Sequence, residues 1–142
     1  MKYSYKFSDA IHLLSYLEIF KNGDLSSKAI AASIESNPSI IRQLMSDLRN
    51  VGLIETRQGK ASAKLTRKPS AITLFEIYMA IDMDHELIHV DPQTNLKCPV
   101  GRNIQTSLNG FYEQIQNSAF NQMKAITLQD VIDDILEKEK MY

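Results

Sequence analysis

Hydrophobic positions recur along this chain with a helical step, in blocks broken by polar, glycine-bearing or proline-bearing stretches. Over residues 9–21, Leu13, Leu14, Leu17 and Phe20 fall on one side of a helix, and Asn22-Gly23 reads as its stop. A short second helix is expected over Ser27 to Ile34, capped by Asp24 or Ser26, with Ala29, Ala31 and Ala32 permitting close packing. After the polar break Glu35-Ser36-Asn37, the pair Asn37-Pro38 opens a third helix to about Asn50. Asn can accept orphan backbone N–H groups there, and Pro fits the first helical position. Ile41, Leu44 and Leu48, with Met45 beside them, form its buried stripe. Ser39, Arg42, Gln43, Ser46 and Asn50 fall on the opposite side, a face read as hydrogen-bonding groups with one cation and no acid. Gly52 fits the position past the helix end.

The period then changes. Leu53 to Arg57 and Ala61 to Leu65 alternate, separated by Gln58-Gly59-Lys60, which is hairpin spacing with a glycine in the turn. Ile54 and Thr56 should share one face, Glu55 and Arg57 the other. Pro69 and Ser70 close the segment. Thr73-Leu74-Phe75-Glu76 is a capping-box pattern that opens a helix to about Asp82. Residues 83–99 contain Pro92 and Pro99 and read as a loop with room for one short strand. From Gly101 to Ala125 a long helix carries Ile104, Leu108, Phe111 and Ile115, continued loosely by Ala119 and Gln122 or Met123, a seam of roughly 3.5-residue period. Thr127 and Asp130 give a second capping signal, with Leu128, Val131, Ile132 and Ile135 on one face of the helix that follows. The fold class expected is mainly α with a small β-hairpin wing: a winged helix-turn-helix over residues 1–70, then linker and dimerisation or sensor helices over 71–142, in one compact chain.

Length and charge refine this picture. At 142 residues the chain has room for one hydrophobic core. Its longest apolar run, Ile77 to Ile81, is far short of the ~20 residues of a membrane helix, and no signal peptide is visible, so a soluble cytoplasmic protein is expected. The net charge of −1 hides an asymmetry: residues 1–70 carry eleven Lys or Arg against six Asp or Glu, and residues 71–142 carry five against eleven. The segment from Arg57 to Lys68 holds five basic residues and no acid. A basic working face and an acidic remainder follow, as for a nucleic-acid binder.

The order of motifs resembles the winged helix-turn-helix transcriptional regulators grouped with IscR, NsrR and CymR, the Rrf-two family. The residues that carry the resemblance are Ser27-Lys28-Ala29-Ile30-Ala31 through Asn37-Pro38 to Leu48-Arg49-Asn50-Val51-Gly52-Leu53-Ile54. The stretch Ile72 to Ile81 and the run Asn95-Leu96-Lys97-Cys98-Pro99-Val100-Gly101 complete it. The resemblance implies a homodimer joined by the long C-terminal helix, with Ile104, Leu108, Phe111 and Ile115 at the interface and two DNA-binding parts reading a palindrome. Two departures stand out. Many relatives carry paired glycines and a tyrosine in the wing, where this chain has Gly59-Lys60-Ala61-Ser62-Ala63. Iron–sulfur members carry three cysteines before the dimer helix, where this chain has Cys98 alone. A [2Fe–2S] cluster takes four thiolates, or two with two histidines, so no cluster and no other cofactor is expected.

For binding double-stranded DNA, hydrogen-bonding side chains near the start of the third helix would reach base edges in the major groove. Ser39, Arg42, Gln43 and Ser46 meet that need. Arg42 suits guanine and Gln43 adenine, with a phosphate as the alternative for either. Backbone N–H groups at the start of the second or third helix, with Ser26, Ser27 and Ser39, suit phosphates. Lys28, Asn37 and Arg49 are further DNA-binding candidates, and Arg57, Lys60 and Lys64 approach the backbone or minor groove from the wing. Cys98, close to Lys97 and Arg102 in sequence, is the candidate redox sensor, with a structural packing role as the alternative. His85 and His89 stand four apart near Asp82, Asp84, Glu86 and Asp91, but the stretch does not read as helix and no metal site is assigned. His12 is read as structural. No phosphate loop, nucleophile elbow or paired-carboxylate site stands out, so no enzyme is expected. The resulting function is a sequence-specific DNA-binding regulator, a homodimeric repressor responding to a redox or small-molecule signal. The competing reading is a winged-helix interaction or sensor module that does not bind DNA.

Overall fold

The computed structural model describes residues 4–56 and 62–142. Six α-helices and one two-stranded antiparallel sheet are formed among them. Helix α1 (Lys6–Ile19) starts earlier than its apolar spacing suggests and buries Ala10, Leu13, Leu14 and Leu17. Phe20 is not part of that buried stripe: it terminates the helix, 54% exposed, with its ring 4.9 Å from Tyr16.

Helix α2 (Ser27–Ile34) and helix α3 (Pro38–Asn50) follow the sequence closely because their starts are fixed locally. Ser26 is the cap of α2, its hydroxyl accepting from the Ala29 N–H at 3.1 Å, while Asp24 accepts from the Ser26 N–H. The Asn37 carboxamide accepts from the Ser39 N–H at 2.7 Å, with Pro38 at the first helical position. Between the two helices Glu35 takes φ 58°, a left-handed conformation that costs a residue with a β-carbon about 1–2 kcal/mol and makes the turn tight. Gly52 at φ 79° turns the chain out of α3 without that penalty.

The wing pairs β1 (Ile54–Thr56) with β2 (Ala63–Leu65), placing Glu55 opposite Lys64. Arg57 and Lys60, expected on the wing, lie outside the described residues. After a 3-10 turn at Pro69–Ala71 comes α4 (Leu74–Ala80), which ends two residues before Asp82 because Ile81 is extended. Its capping box between Thr73 and Glu76 is formed on both sides, and Arg67 reaches across to the Glu76 carboxylate. Residues 83–98 contain neither helix nor strand; they lie along α5 (Pro99–Ala125), where Leu87 N–H donates to Gln116 and Gln105 donates to Thr94. Gly101 is required there, since a β-carbon would stand 2.2 Å from the Asn95 carbonyl oxygen.

Helix α6 (Leu128–Glu139), opened by the Thr127–Asp130 capping box, returns to the first half of the chain. Leu128 N–H donates to Ile72 C=O and Leu74 N–H donates to Ile126 C=O, forming an isolated bridge at Thr73 and Thr127. One core results. Leu13, Leu14, Leu17, Ile30, Ile41, Leu48 and Ile54 meet Ile72, Ile77, Ile81 and Leu128 in it, all at most 2% exposed. No helix among the described residues is long and apolar enough to cross a membrane.

Candidate nucleic-acid interface

Helix α3 buries Ile41, Leu44, Met45 and Leu48, which turns Ser39, Arg42, Gln43 and Arg49 to the surface. An open groove of about 290 Å³ runs between the start of α2, the outer side of α3 and the wing. It brings together Ser26, Ser27, Arg42 and Arg49 from the residues singled out in the sequence. Thr56 and Ser62, which the sequence reading did not select, line its wing side; strand alternation groups Thr56 with the buried Ile54 and gave no signal for it. Arg42 donates to the Ser39 hydroxyl at 3.2 Å, which orients the guanidinium without neutralising it. Lys28, Arg42 and Arg49 have no carboxylate partner among the described residues, so their charge is open to an anion. Ser26 and Ser27 line the groove at the start of α2, and a helix N-terminus is a favourable place for phosphate.

Other expected contacts are partly engaged within the chain. Gln43 donates to Asp47 Oδ1 at 3.1 Å, so the outer side of α3 does carry an acid, four residues on, contrary to the expectation from sequence. Lys64 lies 3.1 Å from Glu55 across the hairpin. Asn37 and Ser26 spend their side-chain oxygens on helix capping. Ser46 is half-buried and does not line the groove.

Cys98 is half-buried and is the residue preceding α5. The backbone N–H groups of Gly101 and Val100 favour its thiolate and hold the thiol below its ordinary 9.0. His85 and His89 do not converge: His85 Nε2 lies 2.8 Å from the Tyr78 carbonyl oxygen, while His89 Nε2 lies 2.7 Å from Asp84 Oδ2. That hydrogen bond raises the pKa of His89 and lowers that of Asp84. His12, expected as a structural residue, is exposed and holds α1 to α2 by a 2.8 Å bond with the Ser33 hydroxyl.

In α5 the apolar seam divides. Ile104 and Leu108 are half-buried, whereas Phe111 is 62% and Ile115 53% exposed. The intramolecular side of the helix is set by Phe120, whose ring lies 5.3 Å from Phe75 and 5.7 Å from Tyr78.

Comparison with known proteins agrees with this geometry. The profile of the Rrf2 family, described as iron-dependent transcriptional regulators, matches residues 3–134. An HTH-type transcriptional regulator, YwnA of Bacillus subtilis (strain 168), is 34% identical over 126 residues, 89% of this chain and 93% of its own length. The crystal structure of a protein described as DNA-binding superposes with TM-score 0.73 at 31% identity, covering 89% of this chain and 98% of that one. CymR, the global cysteine regulator of B. subtilis, has the same fold with TM-score 0.69 at 22% identity, over 94% of this chain and 97% of its own. The family and the curated relative are transcriptional regulators rather than enzymes. With a helix-turn-helix, a β-hairpin and a groove lined by Arg42 and Arg49 between them, and the family profile spanning nearly its whole length, the chain belongs to the Rrf2 family of DNA-binding transcriptional regulators.

Proposed function

We propose that the protein acts in the cytoplasm as a homodimeric repressor that reads a palindromic operator and responds to a redox or small-molecule signal. The observation that carries the dimer is the state of α5: a helix of 27 residues with none buried, bearing Phe111 and Ile115 on an uncovered face. A stripe of that kind is what a second copy would cover, and two-fold symmetry would present two α3 helices to related half-sites. Arg42 is the proposed base- or phosphate-reading side chain, Arg49 and the starts of α2 and α3 the phosphate contacts, and Ser39 the group that orients Arg42.

The iron in the family description finds no matching donor set among the described residues. One cysteine per chain falls short of the thiolates a [2Fe–2S] cluster takes. Asp84, Glu86 and His89 bring ligand atoms within 4.8 Å of one another, but all three are exposed and His89 is already engaged by Asp84. We therefore place the chain among cluster-free regulators, with the lowered thiol of Cys98 supporting a redox input.

The experiment is a mobility-shift titration on operator duplex defined by footprinting the protein's own promoter. Arg42→Ala should weaken operator binding by about 1–3 kcal/mol per half-site if the contact is bidentate to a base, with the salt slope kept. A phosphate contact would instead reduce the steepness of log K against log salt by about 0.9 per chain, about 1.8 for the dimer. Unchanged affinity and slope would remove Arg42 from the interface.

A further inference from the structure

Helix α3 carries one exposed side chain that its polar face does not account for. Ile40 is 53% exposed, whereas the other exposed positions of the helix are Ser39, Arg42, Gln43, Arg49 and Asn50. A lone exposed isoleucine on an ordinary surface calls for no explanation. Ile40, however, lies in the first turn of α3, the end that a helix-turn-helix lays against base edges. At about 100° per residue, Gln43 stands about 40° from Ser39 and Ile40 about 60° beyond Gln43, while Arg42 stands about 60° from Ser39 on the other side. Ile40 and Arg42 therefore flank Ser39 and Gln43 across one outward face.

The capping of the helices gives a second, independent sign. Helices α2, α3, α4 and α6 all begin with a side-chain cap. In α4 and α6 the third helical residue is an acid, Glu76 or Asp130, which completes a capping box. In α3 that position is Ile40, and in α2 it is Ala29. A carboxylate there would strengthen the start of α3, but the phosphates that border a major groove would repel it. Isoleucine gives up that stabilisation and offers an apolar surface instead.

Base edges in the major groove present donors and acceptors, and thymine adds an apolar group, its C5-methyl. We infer that Ile40 is a specificity-determining residue of operator recognition, its side chain packing on a thymine methyl in each half-site. The inference rests on the operator reading, which puts α3 in the major groove, and deepens it by naming a base that is read without a hydrogen bond.

The test replaces the thymines of the footprinted operator by deoxyuridine, one symmetric pair at a time, which removes the C5-methyl and keeps the base pairing. At one thymine position the wild-type chain should lose about fourfold in affinity per half-site, about fifteenfold for the pair, the worth of one buried methyl group. Ile40→Ala should melt no lower than the wild type, because Ala is the better helix former, and should keep the salt slope, because no phosphate contact is lost. It should bind the all-thymine operator more weakly and no longer distinguish thymine from uracil at that position. The lost discrimination is the decisive readout, since a purely structural role for Ile40 would weaken binding to both duplexes equally. Wild-type affinity indifferent to every replacement, or an Ile40→Ala chain that discriminates as the wild type does, overturns the role of Ile40 while operator binding stands. Absence of any footprint overturns the operator reading and this assignment with it.

Discussion

Replacing Phe111 by Ala should separate the proposed dimer. In the single chain this ring is 62% exposed, so most of its surface is available to a partner. A Phe side chain of ~200 Å² leaves about 120 Å² to cover, worth roughly 2–3 kcal/mol at ~25 cal/mol per Å² once the retained β-carbon is allowed for. Two-fold symmetry counts the residue twice, giving about 4–6 kcal/mol per dimer, or at least about a thousandfold in the dissociation constant. The ring is away from the core of the single chain, so the melting temperature of the monomer should change little. Sedimentation equilibrium of wild-type and variant chains from nanomolar to micromolar concentration reads the effect directly. A variant that associates as tightly as the wild type would refute the assignment of this face. A wild-type chain that stays monomeric at micromolar concentration would refute the dimer itself.

Further outcomes follow from other contacts. Glu55→Gln should release Lys64 from its cross-strand partner, strengthen operator binding and steepen the salt slope by about 0.9 per chain, about 1.8 for the dimer; an unchanged slope takes Lys64 off the DNA. His89 should titrate above its ordinary 6.5 in an NMR pH series, moving back toward it in Asp84→Asn. Its raised value means that the stabilisation from the pair is present below 6.5 and lost as pH rises through the raised midpoint. Asp84, held below its ordinary 3.8, contributes above that pH and loses its contribution as pH falls through its lowered midpoint. Tyr78→Phe should leave stability unchanged or raise it by up to about 1–3 kcal/mol in urea denaturation, because the buried hydroxyl has no hydrogen-bond partner among the described residues; a clear loss would show that it has one.

Much of the fold was legible because its signals are local. Ser26, Asn37, Thr73 with Glu76, and Thr127 with Asp130 cap helices through bonds spanning two or three residues, and a sequence displays such pairs side by side. The apolar stripe of α3 was readable for the same reason: one period of 3.6 residues decides which side faces in. The Gln43–Asp47 bond was equally local, at an i,i+4 spacing, and escaped because Asp47 was not counted with the outer face. Phe20 illustrates a different limit, since its spacing suits the buried stripe of α1 but the helix ends at Ile19 and carries it out of the core.

By itself, then, the sequence determined the helix-turn-helix, the hairpin, the long α5 with its apolar seam and the charge contrast between halves. Each follows from spacing within a few residues or from composition. Tertiary structure alone decided which of the polar residues share a groove, for Ser26, Arg42, Arg49 and Thr56 come from three elements. It also decided that α6 returns to Ile72 and leaves a groove beside Ser15, more than a hundred residues away from Val131 in the chain. The physical reason is the same in both cases. Contacts at that separation depend on how complete helices pack against one core, and no short-range periodicity encodes the outcome.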